Sequence, residues 1–263
     1  MWNERMTLDA LFVDLYAGDG RKDWHAFCRV GAPWHGAIFK ATQGTYYRPP
    51  WFGEERRAFL AAAGSRHGVD LFDGAYHYLD LALDGAAQAE YFVRAISLAG
   101  GELIGTLWGM VDVERGGQRI RDPSRTLVED RVRTFAVRYQ QLTGRAPTLY
   151  GGELLRAVGV TDRLGCGRSA LALYGTTLPR DVITRTGTDL DHLLLWQYVG
   201  ADQRTPGPAG YPLEAPGCGR VDVSAMVLPG GLERMRAGLW AERPPSSPAP
   251  SSPAPSSPAP SVA

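Results

Sequence analysis

Residues 108–117 read WGMVDVERGG, an apolar run that ends in two acids and a pair of glycines. Such a run predicts a buried β-strand, and the glycines predict a turn directly after it. Side chains two residues apart in a strand share a face, so Asp112 and Glu114 project together. Two neighbouring carboxyls in an apolar setting repel each other, which raises the pKa of at least one. The pair suits a general acid assisted by a carboxylate, although acids that cap a loop or pair with arginines would give the same pattern.

The composition is that of a globular protein without a charge bias. The 263 residues are 44% hydrophobic and 21% charged, and 28 basic side chains balance 28 acidic ones. This balance argues against a nucleic-acid partner and against an anionic membrane as partner. No apolar run reaches the ~20 residues of a membrane helix. Because no apolar stretch follows a basic start at the N-terminus, we expect a protein made in the cytoplasm without a signal peptide.

The cysteines and histidines do not predict a metal site. Cys28, Cys166 and Cys218 have no Cys-x-x-Cys spacing, and no two histidines have a His-x-x-x-His spacing. We expect free thiols, although Cys166 and Cys218 each lie between glycines and could pair in an oxidising compartment. Neither a dinucleotide-binding glycine turn nor a phosphate-binding loop follows a predicted strand. We therefore expect chemistry without a metal or cofactor.

Eight short apolar runs recur along the chain and predict eight β-strands. They lie at residues 11–16, 36–42, 72–78, 108–117, 147–151, 170–175, 193–198 and 220–224. Helical patterns cover residues 23–30, 52–67, 85–98, 124–142 and 153–158, and several of them stop at a glycine. The sequence predicts an α/β fold, a distorted TIM-like barrel of eight strands, with helices mainly after the first five and the last three strands nearly bare.

The predicted barrel domain covers residues 7–243. From about Pro244 the composition changes to repeats of serine, proline and alanine. Proline at this density predicts an extended, disordered tail over residues 244–263. The tail could link the barrel to a further module or be inert.

In a barrel of this kind, reacting groups lie at the carboxyl ends of the strands. Four acids occupy predicted strand ends: Asp14, Asp112, Glu114 and Asp222. The other polar and aromatic side chains at strand ends are Lys40, Tyr76, His77, Tyr150, Tyr174, Trp196 and Gln197. Aromatic rings beside a groove lined by carboxyls suit a sugar, whose CH faces stack on rings while its hydroxyls bond acids and amides.

Each of these residues also has a structural interpretation. Tyr76 and Trp196 could fill the barrel rather than bind substrate, and we expect His77 to be a core histidine more than an acid–base group. Lys40 is expected to pair with one of the site acids. Asp222 could instead pair with nearby Arg220.

Six motifs in this order resemble glycoside hydrolase family 25, the Chalaropsis-type lysozymes, which cut peptidoglycan between N-acetylmuramic acid and N-acetylglucosamine. The motifs are Asp14-Leu15-Tyr16 with Asp23-Trp24, Phe39-Lys40-Ala41-Thr42-Gln43-Gly44, Gly74-Ala75-Tyr76-His77-Tyr78, Val111-Asp112-Val113-Glu114, Trp196-Gln197-Tyr198 and Val221-Asp222-Val223. The resemblance runs from about residue 11 to residue 226. It implies a distorted barrel that lacks helices in its last third.

The resemblance also implies a role for each acid. Glu114 would protonate the glycosidic oxygen as general acid, and Asp112 would stabilise the charge at the anomeric centre or orient the substrate's 2-acetamido group. Asp14 and Asp222 match the flanking acids of the family. Cβ atoms two apart on a strand lie roughly 6–7 Å from each other, so side-chain rotamers would allow either a retaining or an inverting reaction.

Three positions depart from the family's pattern. The family commonly has glutamate at Gln43, an aspartate near Arg48, and a tryptophan in the sixth strand at Ala170. These are not the expected catalytic acids, so the departures concern substrate fit.

The resemblance implies peptidoglycan glycan strands as the partner. A chitin-like glycan as substrate and a non-catalytic glycan-binding barrel are the alternatives. A muramidase made in the cytoplasm would need lysis, a holin or a secretion machine to reach the cell wall. Both a phage-type endolysin and an injected effector with an immunity protein fit this requirement.

Overall fold

A computed structural model of the chain describes residues 10–16, 19, 21–29, 33–64, 71–100, 108–178, 192–201, 205–227 and 230–236. The predicted tail at 244–263 and the outer parts of the predicted domain, 7–9 and 237–243, lie outside the described residues. No helix in the described part of the chain is long and apolar enough to cross a membrane.

Eight strands form one closed barrel in chain order, which confirms the predicted fold class. The strands are β1 (Leu11–Leu15), β2 (Trp34–Gln43), β3 (Phe72–Tyr78), β4 (Trp108–Val113), β5 (Thr148–Gly151), β6 (Arg168–Ala172), β7 (Leu193–Val199) and β8 (Asp222–Met226). The helices are α1 (Trp24–Arg29), α2 (Phe52–Gly64), α3 (Gly85–Leu98), α4 (Arg125–Thr143), α5 (Glu153–Ala157) and a short α6 (Gly231–Arg236) after β8. Residues 179–191, between β6 and β7, lie outside the described residues.

The direction of β8 differs from that of a regular β/α barrel. Strands β1 to β7 pair in parallel, whereas β8 is antiparallel to both β7 and β1. Asp222 was expected at the carboxyl end of a strand, which was wrong because Asp222 is the first residue of β8. Since β8 runs in reverse, its first residue lies at the same mouth as the last residues of the parallel strands.

Alternation along each strand separates two apolar layers. On β4, Val111 and Val113 pack in the outer core between barrel and helices, whereas Met110 belongs to the cluster inside the barrel. Asp112 shares the inward face with Met110, as the two-residue period requires. On β1, Leu11, Val13 and Leu15 face outward and Phe12 faces inward.

The helix ends follow local sequence signals. The Ser124 hydroxyl accepts a hydrogen bond from the Leu127 amide at the start of α4, and the Asp84 carboxylate accepts one from the Ala87 amide at the start of α3. Gly144 ends α4 in the left-handed conformation, with φ 73°, and donates its N–H to the Gln140 carbonyl. Replacing an N-terminal cap such as Ser124 or Asp84 by alanine costs about 1 kcal/mol.

The outer core around α3 and α4 is aromatic and contains His77. The His77 ring stacks on Phe135, with centroids 5.1 Å apart, and hydrogen-bonds the Thr42 hydroxyl at 2.7 Å and the Gln88 amide oxygen at 3.1 Å. Burial lowers the pKa of His77 to about 3. The ring is therefore a neutral core histidine on the outward face of β3, away from Tyr76.

Candidate active site

The strands bring the four predicted acids together at one mouth. Asp112 is on β4 and Glu114 directly follows that strand, while Asp14 on β1 is the direct register partner of Asp222 on β8. Asp14 and Asp112 are buried, and Glu114 and Asp222 are half-buried. One oxygen of Asp14 and one of Asp112 are buried without a hydrogen-bond partner in the described part of the chain. These oxygens are free to accept from a ligand.

Tyr76 is close enough to all four acids to feel their charges. Burial raises its pKa well above the usual value, and the charges of all four acids raise it further: Asp112, Asp14, Asp222 and Glu114. Tyr76 is half-buried on the inner face of β3, so its phenol belongs to the floor of the mouth.

The pKa values of Asp112 and Glu114 are both raised, and burial is the largest cause for each. For Asp112 the next cause is the charge of Glu114. For Glu114 it is the charge of Asp222, while the charge of Lys40 acts in the opposite direction. A carboxyl pair in this environment holds a proton at a pH where a solvated pair would not, which is the condition for a general acid.

Lys40 supplies the positive charge at this mouth. Burial lowers the pKa of its ammonium group, and the charges of Asp112 and Glu114 act against that shift. Lys40 was expected to pair with one of the site acids. Its ammonium interacts with Asp112 and Glu114 through their charges, while its hydrogen bond goes to the Gln43 amide oxygen at 3.1 Å. The ammonium also lies 4.8 Å from the centre of the Tyr78 ring and 6.0 Å from that of Tyr76.

Tyr150 and Gln197 form a second polar pair inside the barrel. Tyr150 on β5 is the register partner of Asp112, and its hydroxyl donates to the Gln197 amide oxygen. The Tyr174 phenol is partly exposed and close enough to raise the pKa of Tyr150. Tyr150 is also close enough to Glu114, Asp112 and Asp14 for their charges to raise its pKa.

Trp196 does not reach the mouth, which corrects the prediction that it contacts substrate. Its side chain has no exposed surface, and its indole N–H donates to the Leu173 carbonyl at 2.7 Å. The cause is strand alternation: Gln197 points inward, so its neighbour Trp196 points into the outer core.

Three residues of the site were missed by sequence reasoning. The Ser224 hydroxyl donates to Asp14 at 3.1 Å, and the Tyr78 hydroxyl donates to the Gly116 carbonyl and lies 3.3 Å from the Glu114 carbonyl. The Gln118 amide group donates to the Glu114 carbonyl at 3.0 Å. Ser224 and Tyr78 each lie two residues from a predicted site residue on the same strand face, so the two-residue period of a strand could have predicted them. Gln118 lies in the loop after β4 and had none.

The sequence profile of glycosyl hydrolases family 25 matches residues 13–204, which include part of β1, all of β2 to β7 and three of the four acids. The chain belongs to this family. A curated relative, the N,O-diacetylmuramidase of Chalaropsis sp, is 34% identical over 116 residues, or 43% of this chain and 53% of the relative. The alignment thus spans about half of that protein's length.

Solved structures of similar shape support the barrel. A muramidase from Trichobolus zukalii aligns with a TM-score of 0.64 at 23% identity and covers 88% of this chain and 98% of its own. The lysozyme from Streptomyces coelicolor aligns with a TM-score of 0.66 at 23% identity and covers 88% and 97%. At this identity the likeness shows the shared fold.

Of the three departures from the family 25 pattern, Gln43 contacts Lys40, Arg48 lies on an exposed connection and Ala170 lies inside the barrel. Gln43 accepts the Lys40 hydrogen bond without a charge of its own, so it does not neutralise the ammonium. Arg48 is exposed on the connection between β2 and α2. Ala170 is buried in the inner cluster and pairs with Tyr150 and Leu195.

Proposed function

We propose that the protein is a muramidase, which hydrolyses the β-1,4 bond between N-acetylmuramic acid and N-acetylglucosamine in peptidoglycan. The observation that carries this proposal is the pair Asp112 and Glu114: two adjacent inward carboxyls with raised pKa values in a mouth lined by tyrosines. Family 25 membership and the diacetylmuramidase relative support the choice of substrate.

In the proposed reaction Glu114 donates its proton to the glycosidic oxygen as the bond breaks. Its burial and the nearby charge of Asp222 raise its pKa, which favours the protonated form before the reaction. Asp112 stabilises the positive charge that develops at the anomeric carbon, or holds the 2-acetamido group so that its oxygen does so. The unpartnered oxygen of Asp112 is available for either contact.

Asp14, Asp222 and the tyrosines hold the sugar in this proposal. Asp14 is anchored by Ser224, and Asp222 accepts the Ala201 amide at 2.6 Å, so both acids have fixed directions. The Tyr76, Tyr150 and Tyr174 rings supply apolar faces, and the Gln197 and Lys40 side chains supply polar contacts.

The test is clearing of purified cell walls by wild type and by Glu114→Gln. We expect Glu114→Gln to lose about 10²–10⁴-fold in rate and to keep the melting temperature. Glu129→Gln, at an exposed helix pair with Arg125, is the matched control and should retain activity. Mass spectrometry of the products must show muramic acid reducing ends. Cleavage of chitin oligomers but not of walls would show that the substrate is a chitin-like glycan. Binding of walls without cleavage would show a non-catalytic glycan-binding barrel.

The route to the wall is a further part of the proposal. Release by a holin or lysis would make the protein an endolysin, and secretion would make it an effector that its producer must neutralise with an immunity protein. The neighbouring genes separate the two routes, because a holin gene supports the first and an immunity gene the second.

A further inference from the structure

A second recess lies between the connection after β2 and helix α3. We call it the arginine groove: it has a volume of about 440 Å³ and is lined by Tyr46, Arg48, Tyr91, Arg94, Ala95 and Leu98. Tyr46 and Arg48 come from the connection after β2. The other four come from one face of α3, at the spacing of three and four residues that places side chains together.

Polar contacts connect the groove to the candidate active site. The Tyr46 hydroxyl accepts a hydrogen bond from the Gln43 amide group at 3.4 Å and donates one to Asp80 at 3.2 Å. Gln43 in turn accepts the hydrogen bond of Lys40. Tyr46 thus stands between the mouth and the groove, and a polymer in the mouth could place a side branch in the groove.

The groove is positively charged in a protein whose total charge is balanced. Among the described residues that line it, none is acidic. Neither Arg48 nor Arg94 forms an ion pair with a carboxylate of the described chain, whereas Arg119, 5.4 Å from the centre of the Tyr46 ring, is paired with Asp80 at 2.7 Å. An anionic occupant fits this charge.

The remaining lining is apolar and aromatic. Leu98 is 64% exposed and Tyr46 is 55% exposed, so both side chains present apolar surface to solvent. Guanidinium groups bind carboxylates through two parallel hydrogen bonds, and phenol rings and leucine contact aliphatic chain. This mixture fits a short peptide with carboxylates better than a phosphate polymer, which has no apolar side chains.

We propose that the arginine groove binds the carboxylate-bearing peptide stems of peptidoglycan while the glycan lies in the mouth. This inference rests on the proposed function, since it specifies that the substrate is the glycan together with its peptide stems. Arg48 and Arg94 hold the carboxylates, and Tyr46, Tyr91 and Leu98 contact the aliphatic parts of the stem.

The experiment compares soluble, uncrosslinked glycan strands that carry stems with the same strands after an amidase has removed them. Binding is measured by calorimetry in a Glu114→Gln background so that the strands stay intact. The test variant is Arg48→Gln with Arg94→Gln. The control is Arg29→Gln, an exposed arginine on α1. Cleavage by the same variants with Glu114 restored is measured in parallel.

We expect the double variant to bind stem-bearing strands roughly three- to tenfold more weakly than its parent. The ratio of affinities for stem-bearing and stem-free strands should fall by the same factor, and the loss should shrink in about 0.5 M salt because exposed charges are screened. Arg29→Gln should keep the parent's ratio. An unchanged ratio in the double variant would overturn the groove assignment while leaving the glycan proposal intact.

Two further outcomes separate the groove from the other proposals. Failure of the wild type to cleave either kind of strand would contradict the proposed function. The ratio of affinities for stem-bearing and stem-free strands would still show whether the groove binds stems. Competition by glycerol phosphate polymer, with no dependence on the stems, would overturn the peptide assignment and show that the groove takes phosphates of wall polymers.

Discussion

Asp14 and Asp222 face each other directly across the antiparallel pair of β1 and β8. Residues opposite each other in such a pair have Cβ atoms about 4.5–5.5 Å apart, and like charges at this distance are destabilising. Burial is the largest cause that raises the pKa of Asp14, and the charge of Asp222 is the next. The reversal of β8 therefore creates an acid pair that costs folding stability whenever both groups are ionised.

Asp14→Asn should stabilise the protein at neutral pH. The pKa of Asp14 is raised in the folded state, so the folded protein binds the proton more tightly than the unfolded one. Stability then falls as pH rises above the unfolded value, and the neutral amide removes that loss. We expect a gain of roughly 2–4 °C in Tm for each kcal/mol of relieved strain, which should disappear at acidic pH.

Asp162→Asn is the comparison variant, and we expect its effect on stability to be opposite to that of Asp14→Asn. Burial raises the pKa of Asp162, but the Leu164 amide and Arg133 outweigh that effect and lower it. Its amide variant should lose a little stability at neutral pH. A fall in Tm for Asp14→Asn at neutral pH would contradict the account of the acid pair.

Lys40→Met should move the pH dependence of activity upward. The ammonium lowers the pKa of both Asp112 and Glu114, so its removal raises both. Glu114 would then keep its proton to higher pH, and both limbs of the kcat/KM profile should shift to higher pH. The change is measured on soluble glycan strands across the pH range.

Gln43→Glu separates charge from packing in that experiment. The new carboxylate would lie beside Lys40, which Gln43 now bonds without a charge. It should neutralise the ammonium and shift both limbs in the same direction, with the lysine side chain retained. Limbs that stay in place in both variants would show that Lys40 does not tune the acids.

Gln118→Met should impair positioning of Glu114. The Gln118 side chain donates to the Leu79 carbonyl at 2.7 Å and the Glu114 carbonyl at 3.0 Å, and accepts from the Leu81 amide at 3.0 Å. Loss of these bonds should lower kcat by about 10-fold to 100-fold with KM little changed. A purely structural role would lower Tm and the amount of active enzyme but leave kcat per active site unchanged, so active-site titration accompanies the kinetics.

His77→Gln should leave the pH profile of activity in place and change only stability. The folded pKa of His77 is about 3, against an unfolded value near 6.5. A depressed histidine pKa contributes stability that is present above the unfolded value and is lost as pH falls towards 3. Relative to wild type, the variant should therefore lose less stability between neutral and acidic pH, as followed by thermal unfolding. A displaced limb in the kcat/KM profile would make His77 part of the chemistry.

Much of the barrel was predictable because its strands are near-continuous apolar runs. The prediction placed β3 at residues 72–78, the bounds that the structure has. It placed the last strand two residues early, at 220–224 instead of Asp222–Met226, because Arg220 and Val221 continue the same apolar-polar alternation. The reversal of β8 could not be predicted, since an isolated five-residue strand carries no signal of its direction.

The acids of the site were predictable and its aromatic wall was less so. Asp112 and Glu114 stand out because charged residues are rare on a buried strand. Trp196 and Gln197 were both assigned to the mouth, although strand alternation allows only one of them to face inward. The Gln118 contacts depend on how the loop after β4 folds back on Leu79 and Leu81, which no local pattern encodes.

The most direct test of the central claim is to compare leaving groups. An aryl glycoside with a strongly acidic phenol departs without protonation, whereas a sugar hydroxyl requires it. If Glu114 is the general acid, Glu114→Gln should lose about 10²–10⁴-fold on glycan strands yet retain near wild-type rates of bond cleavage on the aryl glycoside, and Asp112→Asn should lose activity on both. Equal losses of Glu114→Gln on the two substrates would contradict the account.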